Sequence, residues 1–67
     1  MKLWINGTAS EYSEDYRTMT ELLSRSEWSG RLIIVELNGA IISREEYGNV
    51  CLNDGDRIEL VHFVGGG

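Results

Sequence analysis

The chain has 67 residues, with eleven acidic against six basic side chains, a formal net charge of −5, one cysteine and no proline. That length allows one small domain with a thin core, and a single cysteine cannot close an internal disulfide to reinforce it. Nucleic-acid binders neutralise phosphates with a basic face, and six dispersed cations form none, so an acidic surface of this kind suits a basic protein partner instead.

Lys2 to Asn6 alternates, with Leu3 and Ile5 on one side and Lys2, Trp4 and Asn6 on the other, which predicts a half-buried strand. Asn6-Gly7 is a hairpin signal because both residues tolerate positive φ, and Thr8 to Tyr12 is expected to return as the second strand. Ser13-Glu14-Asp15 reads as a loop. Thr18-Met19-Thr20-Glu21 then matches a capping box, in which Thr18 accepts from the NH of residue 21 and Glu21 reaches back to the NH of Thr18. Met19, Leu22 and Leu23 follow at i, i+3, i+4, one apolar stripe of a helix about ten residues long that Gly30 is expected to terminate.

Leu32 to Leu37 is the strongest strand signal, nearly all apolar and rich in β-branched residues. Asn38-Gly39 turns the chain, and Ala40-Ile41-Ile42 is short and apolar. Ser43-Arg44-Glu45-Glu46 repeats the capping-box pattern and predicts a single helical turn. Val50-Cys51-Leu52 is expected as a brief edge strand, Asn53-Asp54-Gly55-Asp56 as a turn, and Arg57 to Val64 as the last strand. The residues expected in the core are Leu3, Ile5, Leu22, Leu23, Ile33, Val35, Ile58 and Leu60.

This order makes an α+β fold, a mixed sheet of four to five strands with one main helix packed across it, and the β-grasp arrangement fits it. Residues 1–64 form the expected domain, and Gly65, Gly66 and Gly67 a flexible C-terminal tail. No apolar run approaches the roughly 18 residues of a membrane span, and the opening Met1 to Gly7 is too short in apolar residues for a signal peptide. With the lone Cys51, this makes a cytoplasmic protein the expectation.

Side-chain catalysis has few candidates. His62 is the only histidine, so no histidine-based metal cluster is expected, and P-loop, GxGxxG and GxSxG patterns are absent. Cys51 reads as a small buried hydrophobe rather than a nucleophile, and His62, in phase with Ile58 and Leu60, as a strand residue at the core margin. The glycine tail offers different chemistry. Glycines enter channels that a Cβ would block, and a carboxylate projecting from them becomes reactive once ATP converts it to a mixed anhydride open to a sulfur or amine nucleophile.

The element order, the terminal Gly66-Gly67, the segment Asn38-Gly39-Ala40-Ile41-Ile42-Ser43-Arg44 and the segment Asp54-Gly55-Asp56-Arg57-Ile58-Glu59-Leu60 together resemble the ThiS family, the ubiquitin-like sulfur carriers of thiamin biosynthesis. The resemblance covers the whole chain. It implies that a ThiF-like enzyme, using ATP and Mg, adenylates the carboxylate of Gly67. Sulfur from a sulfur donor enzyme is then installed as a thiocarboxylate and passed to a ThiG-like thiazole synthase. On this reading the chain is a protein cosubstrate rather than an enzyme and binds no cofactor itself. The third glycine, Gly65, belongs either to the reactive tail or to its base. The small subunit of molybdopterin synthase and ubiquitin share the fold and the tail, and a non-covalent β-grasp binding module is the alternative of another class.

Partners are expected on the sheet face opposite the helix. Val61 and Phe63 are apolar on the outward phase of the last strand, Trp4 on that of the first, and Ile34 with Leu32 on that of the third. These residues predict one apolar patch ringed by acidic residues and leading to the tail.

Overall fold

The computed structural model describes residues 1–62; Phe63 and Val64 of the expected last strand and the tail Gly65 to Gly67 lie outside the described residues. The elements are β1 (Lys2–Ile5), β2 (Thr8–Glu11), α1 (Met19–Ser24), β3 (Ile33–Leu37), β4 (Ala40–Ile42), a 3₁₀ helix (Arg44–Asn49) and β5 (Arg57–His62). They form one five-stranded sheet in the order β2-β1-β5-β3-β4. β5 is central, parallel to β1 and antiparallel to β3.

The helix is six residues long, shorter than the expected ten. Thr18 caps it in an extended conformation, its hydroxyl accepting from the Glu21 NH at 3.4 Å. The Glu21 carboxylate takes the NH of Arg17 at 3.2 Å rather than that of Thr18. The helix stops before Gly30 because two serines compete for its last carbonyls: Ser24 Oγ donates to Glu21 O and Ser26 Oγ to Leu23 O. Gly30, at φ +77°, ends the turn beyond the helix instead. The second capping-box pattern stands at the start of the 3₁₀ helix, but Ser43 makes no side-chain cap to the backbone; its Oγ donates to Glu46 Oε1 at 3.1 Å instead.

One sheet face packs on α1. Leu3, Val35, Ile58 and Leu60 from the strands meet Met19, Leu22 and Leu23 from the helix, all buried. Ile5 and Ile33, expected in the core, are only half-buried and pack at its edge, while Met19 and Leu52 join it. Residues 50–52 pair with the start of the helix rather than with the sheet. Met19 NH donates to Val50 O, Leu52 NH to Arg17 O, and Cys51 forms an isolated bridge with Thr18. Along this extended segment Leu52 turns inward, so its neighbour Cys51 points out and is exposed, contrary to the buried edge strand expected. His62 is exposed as well. It shares the inward phase, but α1 spans only about 9 Å, and the His62 ring pairs instead with that of Trp28 in a T-shaped contact, 6.2 Å between centroids.

Two asparagines fix β5 in place. Asn6 and Asn38 both sit at φ 50° in their Asn-Gly turns, the left-handed conformation Asn accepts. Asn6 then pairs with Leu60 as a strand residue would: its Oδ1 accepts from the Leu60 NH at 2.7 Å and its Nδ2 donates to the Leu60 carbonyl at 3.2 Å. On the other flank, Asn38 Oδ1 accepts from the Arg57 NH at 3.0 Å, and Asn38 NH donates to Arg57 O at 2.7 Å. Asp56, buried at 8% exposure, locks the turn before β5. Its carboxylate accepts from the Asn53 NH at 2.8 Å and from Asn38 Nδ2 at 3.1 Å. Asp56→Ala strips both donors of their partner and should cost about 1–3 kcal/mol in chemical denaturation. A loss under about 0.5 kcal/mol would mean that these donors find other acceptors.

Candidate functional site

The face of the sheet opposite α1 carries the side chains of the outward phase. Across it, the register sets Trp4 beside Ala9 and Arg57, Glu59 beside Glu36, Glu36 beside Ile41, and Val61 beside Ile34. Val61 is 50% exposed, Ile34 41% and Trp4 37%. Ile34 and Val61 thus form a directly opposed apolar pair at the end of the face where β5 runs on toward the tail. Leu32, exposed just ahead of β3, lies at the same end.

Trp4 does not join them. Its partner Arg57 precedes Val61 by four residues on β5, a separation of roughly 13 Å at strand rise. Between the two apolar sites runs a row holding Glu59, Glu36 and Ile41. The acidic residues therefore divide the expected patch instead of ringing it. The reason is the register: Glu36 and Glu59 oppose each other directly, an arrangement that disfavours two like charges unless something cationic lies over them. Ile41, the most exposed large apolar residue among those described at 72%, escaped the sequence reading. Its segment Ala40-Ile41-Ile42 is uniformly apolar, and only the pairing of Ile42 with Val35 and Ile41 with Glu36 decides which isoleucine faces out. Phe63 and the three tail glycines lie outside the described residues.

Among the described residues no group of three or more His, Cys, Asp or Glu side chains is placed to hold a metal ion. No described helix is long and apolar enough to cross a membrane. The face offers shape, apolar contact and negative charge, and what it can do chemically is present the strand end from which the tail follows.

A model of the ThiS family matches residues 3–67. The chain belongs to the ThiS family. The Sulfur carrier protein ThiS of Bacillus subtilis (strain 168) is 43% identical over 65 residues, covering 97% of this chain and 98% of that protein. A thiazole synthase of Paramagnetospirillum magneticum is 40% identical over 67 residues, all of this chain but 20% of that protein. The crystal structure of a thiamine biosynthesis protein (ThiS) from Geobacter metallireducens superposes with a TM-score of 0.81 at 36% identity, covering both chains fully. The five-stranded mixed sheet with its helix is thus the ThiS β-grasp fold, as the element order predicts.

Proposed function

We propose that this ThiS-family chain carries sulfur for thiamin biosynthesis on the carboxylate of Gly67, as a protein cosubstrate and not as an enzyme. The observation that carries the reading is the family match, which runs through the fold and on to residue 67. The carboxylate oxygen of Gly67 attacks the α-phosphorus of ATP, held with Mg by a ThiF-like enzyme, and pyrophosphate leaves. Sulfide (HS⁻) released by a donor enzyme then attacks the acyl carbon, the C–O bond to AMP breaks, and the products are a thiocarboxylate and AMP. Gly65 and Gly66 let the tail enter the nucleotide site without side-chain obstruction. The receiving partner is a ThiG-like thiazole synthase, a reading supported by the thiazole synthases of which a segment is similar to this whole chain. We place the reaction in the cytoplasm, since a lone cysteine suits a reducing compartment.

The test is intact mass after incubation with a ThiF-like enzyme, MgATP and a sulfur source. Exchange of one oxygen for sulfur, located at Gly67 by fragmentation, is the expected result. An unchanged mass in the presence of an active enzyme would favour a non-covalent binding module, and isopeptide conjugates would identify a modifier.

The activating enzyme must also contact the domain behind the tail, where Val61, Phe63 and Val64 are the apolar residues that precede the glycines in sequence and Ile34 opposes Val61 in the sheet register. Val61→Ala combined with Ile34→Ala should weaken binding by about 1–3 kcal/mol. Half-exposed as both are, folding stability should fall by less than about 1 kcal/mol. Calorimetric titration and thermal melts of the same samples separate the two. Trp4→Ala, at the far side of the acidic row, should weaken binding less; a larger loss there would move the docking site to the other end of the face.

A further inference from the structure

The side of the domain away from the open sheet face holds a cleft of about 460 Å³ between α1, the turn after it and the 3₁₀ helix. That is within the usual range of small-molecule sites, roughly 300–1,000 Å³. Its walls bring together Trp28, Arg31, Arg44 and Tyr47, with the hydroxyls of Thr20 and Ser29 at its margin. Two of the chain's six basic residues therefore converge here, from segments thirteen positions apart, in a protein of net charge −5. Among the described residues no carboxylate lines the cleft and neither arginine is in a salt bridge; the ion pairs present are both made by the Met1 ammonium. Of the neighbouring acids, Glu21 accepts from Arg17 NH and Glu46 from Ser43 Oγ.

The geometry is local and built by the turn. Gly30 at φ +77° reverses the chain, and Arg31 NH donates to Trp28 O at 3.1 Å. The Arg31 guanidinium consequently lies 5.9 Å from the centre of the Trp28 ring. Trp28 and Tyr47 are both half-buried, so they are held as ring surfaces rather than free side chains. A planar fork of donors stacked over one aromatic ring, Trp28, with a second, Tyr47, in the same wall is suited to an oxyanion attached to a flat ring, the anion taken by the guanidinium groups and the ring by the Tyr47 side of the wall.

We propose that this cleft binds a planar small molecule bearing a phosphate group, independently of the chemistry at the tail. The test is an amide and indole NMR titration of the full chain with two planar phosphates, AMP and phenyl phosphate, beside adenosine and inorganic phosphate as the separate halves. The expected result is saturable shifts at the Trp28 indole and the Gly30, Arg31 and Tyr47 amides for at least one planar phosphate, with a Kd of roughly 1 mM or tighter. Both halves should bind at least about tenfold more weakly, and Arg31→Gln and Arg44→Gln should each reduce the affinity by about tenfold. Both arginines are exposed, and melting curves of the two variants confirm that the fold is kept. Absence of saturable shifts up to about 10 mM ligand, equal binding by inorganic phosphate alone, or affinities unchanged in both variants would each overturn the proposal.

Discussion

Removal of Gly66 and Gly67 is expected to abolish sulfur loading while leaving the melting temperature of the domain unchanged. All the buried apolar residues identified lie between Leu3 and Leu60, and glycines add no side chain to that core. The shortened chain still ends in a glycine, Gly65, so the chemistry of its terminus is the same. What it loses is reach, about 7 Å at the span of an extended chain, and a carboxylate that far short of the α-phosphorus cannot attack it. Intact mass after incubation with the activating enzyme reads the outcome directly. Full loading of the truncated chain would eliminate the tail mechanism, and a melting temperature lowered by several degrees would make the glycines part of the fold. Deletion of Gly67 alone addresses the third glycine. If that variant loads, the tail tolerates a slip of one residue and Gly65 belongs to its working length.

Leu22→Ala should cost roughly 2–4 kcal/mol, a large share of the stability available to so small a domain. Leu22 is 2% exposed and lies on the helix stripe between Met19 and Leu23, against Leu3, Val35, Ile58 and Leu60 of the sheet. The single short helix is the only α-helical cover on that face among the described residues, so the cavity has little else to collapse onto it. Urea denaturation monitored by circular dichroism measures the change. A loss below about 0.5 kcal/mol would show that the helix is not what closes the core.

Features encoded over a few residues could be read directly from the chain. The alternation of Lys2 to Asn6, the two Asn-Gly turns, the Thr18 cap and the i, i+3, i+4 stripe each depend on neighbours in sequence, and each stands where the pattern puts it. The failures share a different cause. Ser24 and Ser26 shortened the helix through hydroxyl bonds that helix propensity does not foresee, and Gly30 was left to end a turn. Cys51 turned outward because its segment pairs with Thr18 rather than with the sheet. The candidate docking face suffered most, since each strand's outward phase was readable but the offset between strands was not. Register placed Glu36 against Glu59 and so separated Trp4 from Ile34 and Val61. The pairing of the asparagine side chains with β5 is equally non-local, joining Asn6 to Leu60 across 54 positions.

The central position of β5 has a mechanical consequence. This strand runs by sequence directly into the C-terminal segment, and it is bonded along both flanks, to β1 with the Asn6 side chain and to β3 with the Asn38 side chain. A pull on the C-terminus is directed along the axis of β5. Inter-strand bonds stand across that axis, so the load falls on many of them at once, in shear, instead of peeling them apart singly from an edge. An edge strand such as β4, held on one side only, would unzip under the same tension. Tension applied through the last residues would therefore be shared among the bonds of β5, and the described domain would be drawn along without losing its central strand.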